Sequence, residues 1–179
     1  MKLKGKKVAL FVADIYEDME LWYPYYRMKE EGAEVAVIGP EAKVYASKHG
    51  VPAKADLAIG DVKPEKFDAL IIPGGYAPDH MRRSPEMVDF VRNIHNQGKP
   101  VAAICHAGWM LVSANIIRDR KVTSYYSIKD DMIHAGAEWL DQEVVEDGNI
   151  ITARHPGDLP AFCRAIIAAL WVNLTGVAL

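Results

Sequence analysis

The stretch "AAICHAGWML", Ala102–Leu111, decides how the chain is read. An apolar run, Val101–Ile104, stops at Cys105-His106; two small residues follow, and a new apolar segment starts. A short continuous apolar run reads as a strand buried on both faces. "HAGWMLVSANI" reads as the helix that follows it. Cys105 therefore stands at a strand–turn–helix junction, the geometry that lifts a nucleophile above a sheet edge. Ala103, Ala107 and Gly108 leave the backbone room to turn. A residue held at such a turn is often strained by ~1–3 kcal/mol. Taken alone, the residues leave two readings open: a nucleophile at an elbow, or a buried cysteine at a strand end beside a surface histidine.

Working outward, strand and helix signals alternate. "VALFVA", Val8–Ala13, is a strand. "DMELWYPYYRMKEEG" is a helix stopped by Gly32, with Pro24 expected near its first turn or at a kink. "AEVAVIGP" is a second strand, and "VYASKHGVPAKADLAIGDV" a hairpin or irregular excursion. "FDALIIPGG" is a buried strand running into a Gly-Gly loop. Ser84-Pro85-Glu86 opens a helix that ends at Gly98, with Ser as N-cap and Pro at the first position. Beyond the elbow come a short helix in "SIKDDMIHAGA", a hairpin in "EVVEDGNIITA" turning at Asp147-Gly148, and a last helix from near Gly157. Strands about 30 residues apart with helices between them mark βαβ units. The expected fold is α/β: a three-layer sandwich with a central, mainly parallel sheet and helices on both faces. One domain over residues 1–179 is expected.

Composition narrows the function. Of 179 residues, 21 are Lys or Arg and 24 Asp or Glu, so the net charge of −3 gives no basic footprint for nucleic acid. No apolar run approaches the roughly 18 residues of a membrane span. The lysine-rich start "MKLKGKK" precedes an apolar stretch too short for a signal peptide, so a cytoplasmic protein is expected. Two cysteines make no disulfide framework, and Cys163 sits in the helical pattern "LPAFCRAIIAALWVNL" as a buried hydrophobe. His49, His80, His95, His134 and His155 lack metal-ligand spacing, and Gly74-Gly75 lacks the rest of a dinucleotide fingerprint. No metal and no cofactor is expected.

In an open parallel sheet, ligands bind beyond the carboxyl ends of the strands. Those ends are Asp14–Glu20, Pro73–Asp79 and Cys105-His106. A cysteine at a helix N-terminus is expected to ionise below about 8.5, and the same amides would hold an oxyanion.

At this point "AICHAG" resembles the nucleophile elbow of the ThiJ/PfpI family, within the class I glutamine-amidotransferase-like superfamily. "YEDMELWYPYYRMKEEG", "SKHG", "FDALIIPGGYAPD", "TSYYSIKDDMIHAGAEW" and "ARHPGD" match the family in order, from about Lys6 to Leu170. The branch most resembled is that of the PfpI-type intracellular proteases. The resemblance implies a flavodoxin-like sandwich. It implies Cys105 as nucleophile, His106 as its partner, and Glu20 as a buried, protonated acid beside the sulfur. It implies that Asp79 completes a Cys–His–acid triad from a neighbouring subunit, in a dimer or hexamer paired through the "YPYYR" region. Gly74 and Gly75 become oxyanion donors, and Tyr125 a pocket residue. The family reads Cys-His-Gly-Pro where this chain has Cys105-His106-Ala107-Gly108-Trp109, so a narrower pocket is expected. The implied substrates are peptides, amines glycated by glyoxal or methylglyoxal, and free glyoxals. The alternative is a non-catalytic oxidation sensor or chaperone using the same thiol.

Overall fold

The computed structural model describes residues 1–175. The expected domain of residues 1–179 runs four residues past them. Seven strands form the main sheet: β1 (Lys7–Phe11), β2 (Glu34–Gly39), β5 (Leu57–Ala58), β6 (Ala69–Ile72), β7 (Val101–Ile104), β10 (Val144–Asp147) and β11 (Ile150–Ala153). Their spatial order is β10-β11-β7-β6-β1-β2-β5. Every pairing is parallel except β10 with β11, the hairpin expected at Asp147-Gly148. Two small sheets flank it: β3 (Val44–Tyr45) with β4 (Ala53–Lys54), and β8 (Lys121–Val122) with β9 (Glu138–Trp139).

Burial explains the strand sequences. All residues of β6, β7 and β11 are buried, and β1 is buried from Val8 to Phe11. A strand covered on both faces must be apolar throughout, as "ALII" and "VAAI" are. Helices α1 (Asp18–Glu30) and α6 (Leu159–Thr175) pack together on one face. The other face carries α3 (Pro85–Asn96) and α4 (Gly108–Ala114), with the short α2 (Ala77–Met81) and α5 (Lys129–His134) against α4. The result is the expected three-layer arrangement. Ser84 caps α3, its hydroxyl accepting from the Met87 amide at 3.3 Å.

Two local expectations change. Pro24 lies well inside α1, buried on its core side, and not in the first turn. Packing against the sheet offsets the amide that proline lacks. The excursion after β2 is more than a hairpin. It contains β3 and β4, and then places Leu57–Ala58 beside Ile38–Gly39 as the parallel edge strand β5. Two residues give too little periodicity to be seen beforehand.

Candidate active site

The carboxyl ends of β1, β6 and β7 meet at one cleft of about 650 Å³. Among the residues lining it are Ile15, Glu17, Glu20, Lys48, Gly75 and Tyr76, together with Cys105, His106 and Tyr125. β7 runs straight into a single 3₁₀ turn, Cys105–Ala107, and then α4. At the junction Cys105 has φ +61°, the left-handed region that a non-glycine residue enters only under strain. This is the elbow expected from "AICHAG". The thiol is 7% exposed and opens on the cleft, whereas Cys163 is 1% exposed within the core.

Four expected residues surround Cys105. His106 Nδ1 lies 3.2 Å from Sγ. Glu20, fully buried on the first turn of α1, accepts from the Gly74 amide through Oε2 at 2.7 Å. Among the described residues its Oε1 has no hydrogen-bond partner, and it is sealed from solvent. The two expected oxyanion glycines divide their work. The Gly75 and His106 amides face the Cys105 sulfur, but the Gly74 amide is engaged by Glu20. Gly74 serves instead as a close approach, since a Cβ there would lie 2.6 Å from Glu20 Oε2 and 2.7 Å from Cys105 Cβ.

Gly75 cannot be replaced quietly. Its φ is +72°, and a Cβ would fall 2.4 Å from the Glu17 nitrogen and 2.5 Å from the Ile15 oxygen, both backbone atoms. Gly75→Ala is expected to cost at least about 2 kcal/mol, from left-handed strain plus the clash. Urea unfolding checks this; a loss within about 0.5 kcal/mol means the loop yields without cost.

The electrostatics correct one expectation. The Cys105 thiol is pushed up, not down, because it is buried and because Glu20 places a negative charge beside it. The amides of Gly75 and His106 oppose this without outweighing it. A 3₁₀ turn and a helix of only seven residues supply too little dipole to dominate. Burial also pushes the Glu20 carboxyl up, to about 8, so it is mostly protonated at neutral pH. A protonated Glu20 no longer repels a thiolate and can donate to it. With the thiol also pushed up, the pair is mostly uncharged at neutral pH and takes on one negative charge, not two, when the thiol gives up its proton. Burial and then the Lys48 charge lower the His106 imidazole, which is neutral at pH 7.

Asp79 and Tyr125 stand differently. Within this chain the Asp79 carboxylate pairs with Arg83 and does not contact His106. Tyr125 stacks on the His106 ring, centroids 5.0 Å apart at 25°. Ala107 is wholly buried beneath the turn. Trp109 turns its edge to His106 and donates from Nε1 to Asp131 Oδ2 at 2.8 Å.

Two participants were missed by reasoning from sequence. Lys48 reaches the cleft from the β3–β4 loop, 3.1 Å from Glu17, and its charge acts on Cys105. Ser127 Oγ lies 3.0 Å from His106 Nε2. Both sit in segments that carried the resemblance, "SKHG" and "TSYYSIKDD", but no spacing rule assigns them a task. Glu17, Asp18 and His49 bring ligand-type atoms within 4.8 Å of one another. Asp18 is already held by the Ser47 hydroxyl and the His49 and Val51 amides.

An elbow cysteine at the carboxyl edge of a parallel sheet, flanked by histidine and a buried glutamate, defines a class of thiol-bearing α/β proteins. The chain belongs to the DJ-1/PfpI family, whose model matches residues 6–169. It is 48% identical over 164 residues to Deglycase PfpI of Pyrococcus furiosus, covering 92% of this chain and 99% of that one. Against Protein/nucleic acid deglycase 2 of Escherichia coli it is 43% identical over 169 residues, covering 93% and 98%. The solved structure of Drosophila melanogaster DJ-1beta superposes with TM-score 0.87 at 27% identity, covering 97% of this chain and 99% of that one. A two-domain Anabaena variabilis protein superposes with TM-score 0.90 at 40% identity. It covers 96% of this chain, which spans 48% of that protein, whose other domain is ferritin-like. Among the described residues no helix is long and apolar enough to cross a membrane.

Proposed function

We propose that the protein is a cysteine-dependent hydrolase that removes glyoxal- and methylglyoxal-derived adducts from amines, with Cys105 as nucleophile. The observation that carries this is the strained Cys105 elbow facing an open cleft, with His106 Nδ1 at 3.2 Å and the Glu20 carboxyl buried beside it. Relatives named deglycase cover nearly their whole length with this chain. Peptides and free glyoxals are further substrates of the same chemistry.

The thiol gives its proton to His106 Nδ1, and the electron pair stays on sulfur. At the adduct carbon, bearing hydroxyl and amine, sulfur replaces the amine. The C–S bond forms as the C–N bond breaks, and the amine leaves with the proton from His106. Glu20 is the acid/base that then moves a proton from that carbon to the neighbouring carbonyl carbon, by way of an enediol. The product is a thioester of a hydroxy acid, and water cleaves it to the acid and the free thiol. No electrons enter or leave overall. Negative oxygen in these steps meets the Gly75 and His106 amides.

Peptides treated with methylglyoxal test the reading. Several free amines and hydroxy acids released per protein chain support it. A single stoichiometric oxidation of Cys105 without turnover favours the sensor.

We also propose that copies pair through α1. Met19 and Tyr26 are exposed there beside Trp22 and Tyr23, a contiguous apolar face on one helix. Asp79, which does not reach His106 within this chain, would enter the proposed site from a neighbouring subunit. Tyr26→Glu is expected to give monomers in sedimentation, with lower turnover. A monomer that keeps full turnover removes Asp79 from the chemistry.

A further inference from the structure

The His106 ring is held on four sides. Nδ1 faces Cys105 Sγ at 3.2 Å, and Nε2 faces Ser127 Oγ at 3.0 Å. Tyr125 lies flat on one side, centroids 5.0 Å apart at 25°. The edge contact of Trp109 closes another, centroids 5.2 Å apart at 69°, with Trp109 itself tied to Asp131. Flipping the ring would bring a carbon to the sulfur and lose both polar contacts. Among the described residues Ser127 is the hydrogen-bond partner of Nε2, and no carboxylate reaches it.

Resting on the reading of Cys105 as nucleophile, we infer that Ser127 is the positioning residue of the Cys105–His106 pair, holding Nε2 so that Nδ1 is presented to the sulfur. A hydroxyl both donates and accepts. When Nε2 carries the proton, Ser127 accepts from it, and Nδ1 offers its lone pair to the thiol. When the thiol proton has passed to Nδ1, Nε2 keeps its own proton and Ser127 still accepts from it, in a thiolate–imidazolium pair. The S–H bond breaks as the Nδ1–H bond forms, and no proton leaves the pair. A carboxylate at this place would also accept from Nε2–H, but its charge would pull the ring towards a permanent cation before the thiol is deprotonated. The charges facing the ring are Lys48 on the β3–β4 loop, Glu17 and Glu20 at the start of α1, and Cys105 itself; Tyr125 is the remaining ionisable neighbour. With a cation and a protonated acid in that set, a neutral imidazole needs a neutral partner. This arrangement needs no second subunit.

The test reads His106 directly. Protein labelled with ¹⁵N is followed from pH 5 to 9 as wild type, Ser127→Ala, Ser127→Thr and Asp79→Asn, beside the rate of Cys105 alkylation by iodoacetamide and the turnover of a methylglyoxal-treated peptide. Ser127 is exposed, so these variants keep the fold. Ser127→Ala is expected to move the His106 nitrogens towards a mixture of tautomers. It should lower alkylation at pH 7 by about tenfold, the worth of one hydrogen bond. It should lower kcat with KM within twofold, and Ser127→Thr should restore both rate and shifts. The inference is overturned if Ser127→Ala leaves the shifts and the rate as in wild type. It is equally overturned if Asp79→Asn moves the tautomer and Ser127→Ala does not. Absence of turnover in the wild type, with Ser127→Ala still moving the shifts and the alkylation rate, would instead count against the nucleophile reading and leave the positioning role standing.

Discussion

Cys105→Ser is expected to abolish turnover of methylglyoxal-treated peptides, by a factor of about 10⁴ or more, while leaving the protein folded. Serine is the nearest isostere and keeps the same backbone position at φ +61°. What it lacks is the acidity of a thiol, which an adjacent imidazole deprotonates far more readily than a hydroxyl. A hydroxyl beside His106 Nδ1 keeps the geometry and loses the nucleophile. Urea unfolding should move by less than about 1 kcal/mol, since one atom changes and the side chain opens on the cleft. Mass spectrometry of alkylated protein provides the internal control. Cys163 is buried among apolar groups, its thiol pushed up to about 12, and it should stay unmodified until unfolding. Turnover surviving in Cys105→Ser would mean that another group does the chemistry. The cleft would then be a binding site with an unused thiol.

The elbow was legible because its two parts obey strong local rules. "VAAI" has no polar residue and so must be covered on both faces, and the small residues after it can only turn. Neither rule shows the left-handed φ of Cys105, which appears once β7 and α4 are fixed by packing. The sheet order was partly legible, because parallel pairing follows from alternation, but β5 was not. Leu57–Ala58 becomes a strand only because β2 offers a free edge. Pro24 illustrates the same limit: its local rule forbids mid-helix placement, and burial against the sheet overrides it. At the site, the elbow and the resemblance named His106, Glu20, Gly75 and Tyr125, whereas Lys48 and Ser127, to which no motif assigns a task, were not named. Lys48 arrives from the loop between β3 and β4, and Ser127 from the segment after β8. The direction of the Cys105 shift was misjudged for a related reason. A helix terminus is visible in sequence, whereas a sealed carboxyl pressed against the same sulfur is visible only in the fold.

Glu20→Gln separates the two tasks that this carboxyl performs. In the folded protein its pKa is about 8 against an ordinary 4.5, because burial disfavours its charged form. A raised carboxyl means that the folded state holds the proton more tightly than the unfolded chain. The corresponding stability is fully present below about pH 4.5 and is lost as pH rises through about 8, by an amount on the order of a few kcal/mol. Glutamine keeps an oxygen for the Gly74 amide and an N–H for the sulfur, and it cannot ionise. The variant should therefore be as stable as wild type in mild acid and more stable at pH 8.5 to 9. The gap between the two curves isolates Glu20 from every other titrating group. Chemistry should move the other way. Alkylation of Cys105, which needs a thiolate and one donor, should change by less than about fivefold, whereas turnover, which needs a proton carried between carbons, should fall roughly hundredfold or more. Parallel stability curves would mean that Glu20 titrates in the fold as in the unfolded chain and is already ionised at neutral pH. Unchanged turnover would remove it as the acid/base, leaving a buried carboxyl whose only task is to hold the Gly74 loop against the elbow.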